Sequence, residues 1–121
     1  MNAVLAGVLA LSVATQPGKV LVQVSVENHG ARPVKVLRAL LLEKELEGRL
    51  FEVSADGQPV PYIGMMVKRG AFTAADYVRV KAHGKRHNTI DITHSYQWLP
   101  GEHRYEIRYG DSAPVSFDFM H

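Results

Sequence analysis

The segment Lys19-Val20-Leu21-Val22-Gln23-Val24-Ser25-Val26-Glu27-Asn28 decides the fold class. Valine returns at every second position from 20 to 26, with Leu21, Gln23, Ser25 and Glu27 between. A period of two puts each set on its own face of an extended chain, the mark of a half-buried antiparallel strand. Asn28-His29-Gly30 closes it, since Asn and Gly accept the positive φ of a tight reversal.

Upstream, Val8 to Ala14 alternates in the same way, with Leu9, Leu11 and Val13 on one face. A first strand is one reading of this stretch. The other takes Ala3 to Ala14 as the apolar part of a secretory signal, with Ser12-Val13-Ala14 as its small-residue cleavage region. Residues 1–7 are then a signal-derived or flexible lead-in. No Lys or Arg precedes Lys19, so a positively charged start is missing. The run also falls short of the ~20 apolar residues that span a membrane as a helix.

Downstream the pattern repeats in short pieces. Val34-Lys35-Val36-Leu37 follows Pro33, and Leu50-Phe51-Glu52-Val53 runs into Asp56-Gly57, a strong hairpin signal. Val60 to Lys68 reads as an edge strand or bulge, broken by Pro61 and Gly64. Asp76 to Ala82 carries Tyr77, Val78 and Val80, and His83 to Asn88 is expected to form the next turn. Thr89 to Thr93, His103 to Tyr109 and Ala113 to Phe119 complete the set. Ala39 to Glu47 is expected to be a loop or short helix, stopped by Gly48. Eight or nine short strands separated by turn chemistry predict an all-β, immunoglobulin-like antiparallel sandwich. At 121 residues, positions 1–121 make one domain.

Composition narrows the function by exclusion. Apolar residues are 46% and charged residues 21%, which rules out wholesale disorder. A net charge of +2 is too mild for a nucleic-acid binder. The aromatics expected to be exposed for stacking, Trp98, Tyr96 and Phe72, are too few to form a base-stacking platform. With no cysteine, disulfides and thiolate chemistry are excluded.

His83 and His87 have helical i, i+4 spacing, but in a β context and without an obvious third ligand, so no metal site or cofactor is expected. Asp91, His94 and Ser95 supply the letters of a triad without the elbow or oxyanion loop that would make one work, and no catalytic residue is assigned. Glu43, Glu45 and Glu47 read as a solvated loop.

The stretch from Tyr62 to Thr73 is the leading candidate for binding. Met65, Met66, Lys68, Arg69 and Phe72 interleave apolar and basic side chains beside a broken strand. Met and Phe make adaptable apolar contacts, while Lys and Arg meet acidic surfaces. A blander arrangement turns Met65 and Val67 into the core and leaves Lys68 and Arg69 in solvent. The basic turn around Lys81 to Asn88, with Lys85 and Arg86, is a second candidate, which Arg79, Arg104 and Arg108 extend if they share its face.

Read in order, Val24-Ser25-Val26-Glu27-Asn28-His29-Gly30, Pro33-Val34-Lys35-Val36-Leu37, Leu50-Phe51-Glu52-Val53-Ser54-Ala55-Asp56-Gly57, Val60-Pro61-Tyr62-Ile63-Gly64 and Val67-Lys68-Arg69 form a succession. It continues through Asp76-Tyr77-Val78, Ala82-His83-Gly84, Asp91-Ile92-Thr93, Tyr96, Gly101 and Tyr105. This resembles the N-terminal β-sandwich, or pro-domain, of the deuterolysin-type (aspzincin) zinc endopeptidases, over roughly residues 9 to 109. The His-Glu-x-x-His of that family's catalytic domain does not occur in these residues. Leu40-Leu41-Leu42-Glu43-Lys44 stands where the family often has Thr-Pro-Leu. The resemblance therefore implies a non-enzymatic partner of a zinc endopeptidase, inhibiting or chaperoning it. It also implies a secreted or periplasmic location, with the cytoplasm left open. The alternative is a general protein- or glycan-binding module using end loops or an edge strand.

Overall fold

The computed structural model describes residues 7–68 and 70–121. Strand β1 (Gly7–Gln16) turns into β2 (Lys19–Asn28), and the two pair antiparallel from Gly7 opposite Asn28 to Gln16 opposite Lys19. Of the two readings of the N-terminal stretch, the strand is the one the fold uses from Gly7 onward. Residues 1–6, within the expected lead-in, lie outside the described residues.

The valine ladder behaves as its period demands. Val20, Val22, Val24 and Val26 are all buried, while Gln23 and Ser25 face solvent. β3 (Val34–Leu37) leads into one helical turn, α1 (Arg38–Leu41). β4 (Glu52–Ala55) and β5 (Gln58–Pro59) flank Asp56-Gly57, which take φ of 51° and 78°. Two successive positive φ values match the right-handed twist of the flanking strands, so the expected hairpin is present. β6 (Tyr77–Val80), β7 (Lys85–Asp91), β8 (Glu102–Arg108) and β9 (Val115–Met120) follow, making nine strands among the described residues.

They form a three-stranded sheet ordered β1-β2-β7, a ribbon β3-β6, and a four-stranded sheet ordered β5-β4-β8-β9, with every strand pair antiparallel. The result is the all-β sandwich that the alternation predicts. Its core joins the β2 valines and Ile90 to Val53, Tyr105, Ile107, Phe117 and Phe119 of the facing sheet. Trp98 sits among Tyr105, Phe117 and Phe119 at ring-centroid distances of 5.0, 6.1 and 5.4 Å. Tyr96 is equally buried and donates its hydroxyl to the Phe51 carbonyl at 2.5 Å. Neither ring is open for stacking, contrary to the expectation for Trp98 and Tyr96.

Two buried asparagines fasten the loops to the sheets. Asn28 ends β2 where expected, though without the positive φ expected of it. Its Nδ2 donates instead to the carbonyls of Arg32 (2.8 Å), Val80 (3.1 Å) and Lys81 (3.1 Å), and its Oδ1 accepts from Gly30 N–H at 2.9 Å. Asn88 donates to the Leu40 and Glu43 carbonyls and accepts from Lys44 Nζ, holding α1 and the following loop against β7.

Candidate functional site

Between β5 and β6 the backbone leaves the sheets and crosses the surface. Val60 to Lys68 is not the expected strand. Pro61 has no N–H to give a ladder, and Tyr62 makes only an isolated bridge to Tyr96. The segment's hydrogen bonds go elsewhere. Gln97 N–H donates to the Pro61 carbonyl (3.0 Å), while Ile63 and Gly64 N–H both donate to the Ser95 carbonyl (2.8 and 3.1 Å). Val67 N–H reaches the Glu47 carbonyl at 2.8 Å, and the Tyr62 hydroxyl donates to the Met65 carbonyl. Further on, Thr73 caps the 3₁₀ turn Ala74–Asp76, its N–H donating to the Asp76 carboxylate.

Gly64 is required at its place. A β-carbon there would stand 2.9 Å from the Tyr62 hydroxyl oxygen and 3.1 Å from the Ser95 α-carbon, closer than side-chain atoms approach. Tyr62 is itself seated edge-on against Tyr96 at 5.4 Å, so it cannot simply swing away. Burial raises the pKa of the Tyr62 phenol, which remains a donor at neutral pH.

This pinned segment presents apolar side chains to water. Met65 is 62% exposed, Met66 72% and Phe72 53%, and Ile63 and Val67 are exposed with them. The bland arrangement, with Met65 and Val67 turned inward, is therefore overturned. Lys68 is exposed beside them, and Arg69 lies outside the described residues. A cleft of about 380 Å³ opens next to the loop, with Met66, Val67 and Phe72 on one side and Leu37, Leu46 and Leu50 among its other walls. Its charged lining includes Arg38 and Glu43, whose side chains approach to 3.8 Å. Phe72 meets Tyr77 edge-on at 6.2 Å, which carries the apolar surface onto β6.

The second candidate is rearranged. Lys85, Arg86 and His87 do not form a turn but open strand β7, paired with Glu27, Val26 and Ser25 of β2. The reversal is confined to the residues just before, where His83 adopts a φ of 60°. Lys85 faces Glu27 at 3.7 Å, and Arg86 is exposed at the end of the strand. Arg104 and Arg108 lie on β8, held by Asp118 (3.3 Å) and Glu52 (2.9 Å), so they do not extend a basic patch with Lys85 and Arg86. The Arg108 guanidinium beside Glu52 holds that carboxyl below its ordinary pKa.

Asp91, of the three triad letters, accepts from Thr93 N–H at 2.9 Å. Partial burial raises its pKa, but the Thr93 hydrogen bonds and nearby Lys19 outweigh this, and the net value is lowered. It is a turn-closing carboxylate. No group of three or more His, Asp or Glu side chains is gathered for a metal among the described residues. No helix among them is long and apolar enough to cross a membrane.

Sequence reasoning missed Ile63, Val67, Leu37 and Tyr77 as parts of this surface. A signal was available: four apolar residues from Ile63 to Val67 around a glycine, after a proline that cannot join a ladder.

No family model matches the chain. Among curated proteins it is similar to an extracellular protease of Aeromonas hydrophila, 34% identical over 88 residues, or 73% of this chain. The match spans a quarter of that protein. With 25% of the relative's length covered, the likeness is to one part of a protease. It fits a protease-associated domain, the coarser half of what the deuterolysin-type resemblance implies.

Proposed function

We infer that this chain is a non-catalytic, protease-associated binding domain. It docks on a secreted endopeptidase through the segment from Ile63 to Phe72 and blocks its substrate cleft. The observation that carries the reading is the backbone-pinned loop with Met65, Met66 and Phe72 held out in water. Contiguous exposed apolar surface marks an interaction site, and fixing the loop beforehand lowers the entropy lost on binding. The likeness to part of an extracellular protease supports a protease as the partner and a location outside the cytoplasm. A zinc endopeptidase of the deuterolysin type is the finer form of this proposal, drawn from the order of motifs in the sequence. Lys68 serves as a peripheral cation that steers the approach. Lys85 and Arg86 belong to a different surface on β7 and are left out of the docking loop.

The test is a dose-response of the purified chain against a mature deuterolysin-type endopeptidase, with an unrelated zinc protease as control. Saturable, selective inhibition is expected, with a complex visible by size-exclusion chromatography. The Met65→Ser/Met66→Ser variant is expected to lose at least tenfold in affinity, while its urea midpoint stays within experimental error because neither side chain supports the core. Neither inhibition nor a complex would refute the reading for the protease tested. Inhibition unchanged in the double variant would refute the assignment of the loop.

A further inference from the structure

The ribbon β3-β6 breaks a charge rule that the two larger sheets keep. Lys85 stands directly opposite Glu27, Arg104 opposite Asp118, and Arg108 opposite Glu52. All three pairs close as ion pairs, at 3.7, 3.3 and 2.9 Å. In the ribbon, Lys35 stands directly opposite Arg79. Directly opposed residues share a face with β-carbons about 5 Å apart, and like charges so placed repel. Both side chains are exposed. At the same end of the ribbon the chain carries Arg32 and Lys81, both exposed, whose backbone carbonyls accept from the Asn28 amide. None of the four forms an ion pair among the described residues. Lys35 and Arg79, opposed without a counter-charge and with two more exposed cations close by in the chain, form a surface that an external anion would complement.

The neighbouring rung says what else the partner carries. Leu37 is opposite Tyr77, one step of two residues from Lys35 and Arg79 on the same face. Two residues of extended chain span about 7 Å. Leu37 lines the cleft beside Phe72, and Phe72 packs on Tyr77, so the cation rung and the apolar cleft form one surface. The cleft's other walls hold Arg38 and Arg49 as well as Glu43, Glu47 and Asp76, so its charge is mixed where the rung is purely cationic.

We propose that this surface takes an extended, acidic protein segment. An apolar side chain of the segment sits in the cleft, and carboxylates about two residues along lie over Lys35 and Arg79. The inference rests on the docking reading above for the identity of the partner, not for its chemistry. Charge complementarity fixes the direction: the acidic end of the segment lies over Lys35 and Arg79 and its apolar end over the mixed lining of the cleft. Four cations are few for a phosphate backbone, whereas two or three carboxylates match them.

The test uses two synthetic peptides, acetyl-Phe-Gly-Glu-Glu-amide and acetyl-Phe-Gly-Gln-Gln-amide, titrated into the labelled full chain by nitrogen–proton NMR. At low salt the acidic peptide is expected to bind at least tenfold more tightly, shifting Lys35, Tyr77 and Arg79, with the preference falling as salt is raised. K35Q/R79Q should abolish the preference. K35E should abolish it too while raising the urea midpoint, because it replaces a repelling pair with an attracting one. That gain in stability distinguishes a binding loss from misfolding.

Equal binding of the two peptides, a preference that survives K35Q/R79Q, or equal competition by duplex DNA or phosphatidylserine vesicles would overturn the proposal. The peptide measurement involves no protease, so the two readings fail separately. Protease inhibition without a peptide preference rejects the acidic segment alone, and a preference without inhibition rejects the protease alone.

Discussion

Replacing Asn28 by Asp changes one atom and reverses the chemistry at the junction of β2, β3 and β6. The amide is 1% exposed. Gly30 N–H fixes which end is oxygen, so the nitrogen faces the carbonyls of Arg32, Val80 and Lys81. Its two hydrogens serve three acceptors, one of them shared. Loss of two such bonds removes about 2 kcal/mol, and leaving the buried Val80 carbonyl unsatisfied costs roughly 1–3 kcal/mol more. A carboxylate directed at three carbonyl oxygens adds repulsion, so a loss of about 3–5 kcal/mol is expected at pH 7.5. That is a large part of a typical total of ~5–15 kcal/mol.

The pH dependence has a definite sign. The native environment disfavours the charged form, which raises the folded pKa of the introduced carboxyl above its unfolded value of about 3.9. The deficit relative to the parent is therefore full above the folded pKa and shrinks as pH falls towards the unfolded one. Urea titrations followed by Trp98 fluorescence at pH 7.5 and pH 5 measure both effects. With a slope of about 1–1.5 kcal/mol per molar urea, the midpoint should drop by about 2–5 M at pH 7.5. A drop below ~0.5 M, against a bond worth about 1 kcal/mol each, would refute the reasoning. So would a deficit identical at the two pH values.

Three further outcomes are expected. Gly64→Ala should weaken protease inhibition at least tenfold by displacing Tyr62 or Ser95, while the near-ultraviolet spectrum of the Trp98 cluster is retained. An unchanged inhibition curve would reject the required close approach. Gly57→Ala should cost about 1–2 kcal/mol by forcing a β-carbon into the positive-φ half of the hairpin, read as a lower midpoint in urea. Burial raises the Tyr96 phenol well above its ordinary pKa, aided by the nearby Tyr62 and opposed by its bond to Phe51. A raised folded pKa contributes stability that is complete below the unfolded value near 10 and declines as pH rises past it. Tyr96→Phe should lose about 1 kcal/mol at pH 7 and flatten the decline above pH 10. A variant with the parent's alkaline profile would contradict this.

Strands with apolar inward faces were legible from alternation, as in Val20 to Val26 and in Asp56-Gly57 with its flanking residues. The failures share a physical cause. Lys85 to Asn88 looks like a turn because its inward position, Asn88, is a polar residue satisfied by two carbonyls and a lysine rather than an apolar one. The same holds for the buried amide of Asn28, which ends its strand as expected. Alternation records hydrophobicity, so it cannot register an amide buried for its hydrogen bonds. Val60 to Lys68 fails in the opposite sense, because an apolar run that is pinned outside the sheets carries the same letters as a strand. The exposed stretch holding Met65, Met66, Lys68 and Phe72 was legible as a candidate from its mixed character. The cation rung was not, since opposing Lys35 to Arg79 requires the register of two strands far apart in sequence.

That remoteness governs how the chain must come together in time. The central strand β2 completes its sheet only with β7, β4 waits for β8, and the Asn28 amide reaches a carbonyl 52 residues away. Loops this long must close before any of these contacts can reward the closure, and such topologies fold over milliseconds to seconds. The four-stranded sheet cannot close on a growing chain until β8 and β9 have been made. The exposed loop from Ile63 to Val67 takes its place only once Ser95 and Gln97, which hold its backbone, have been added to the chain.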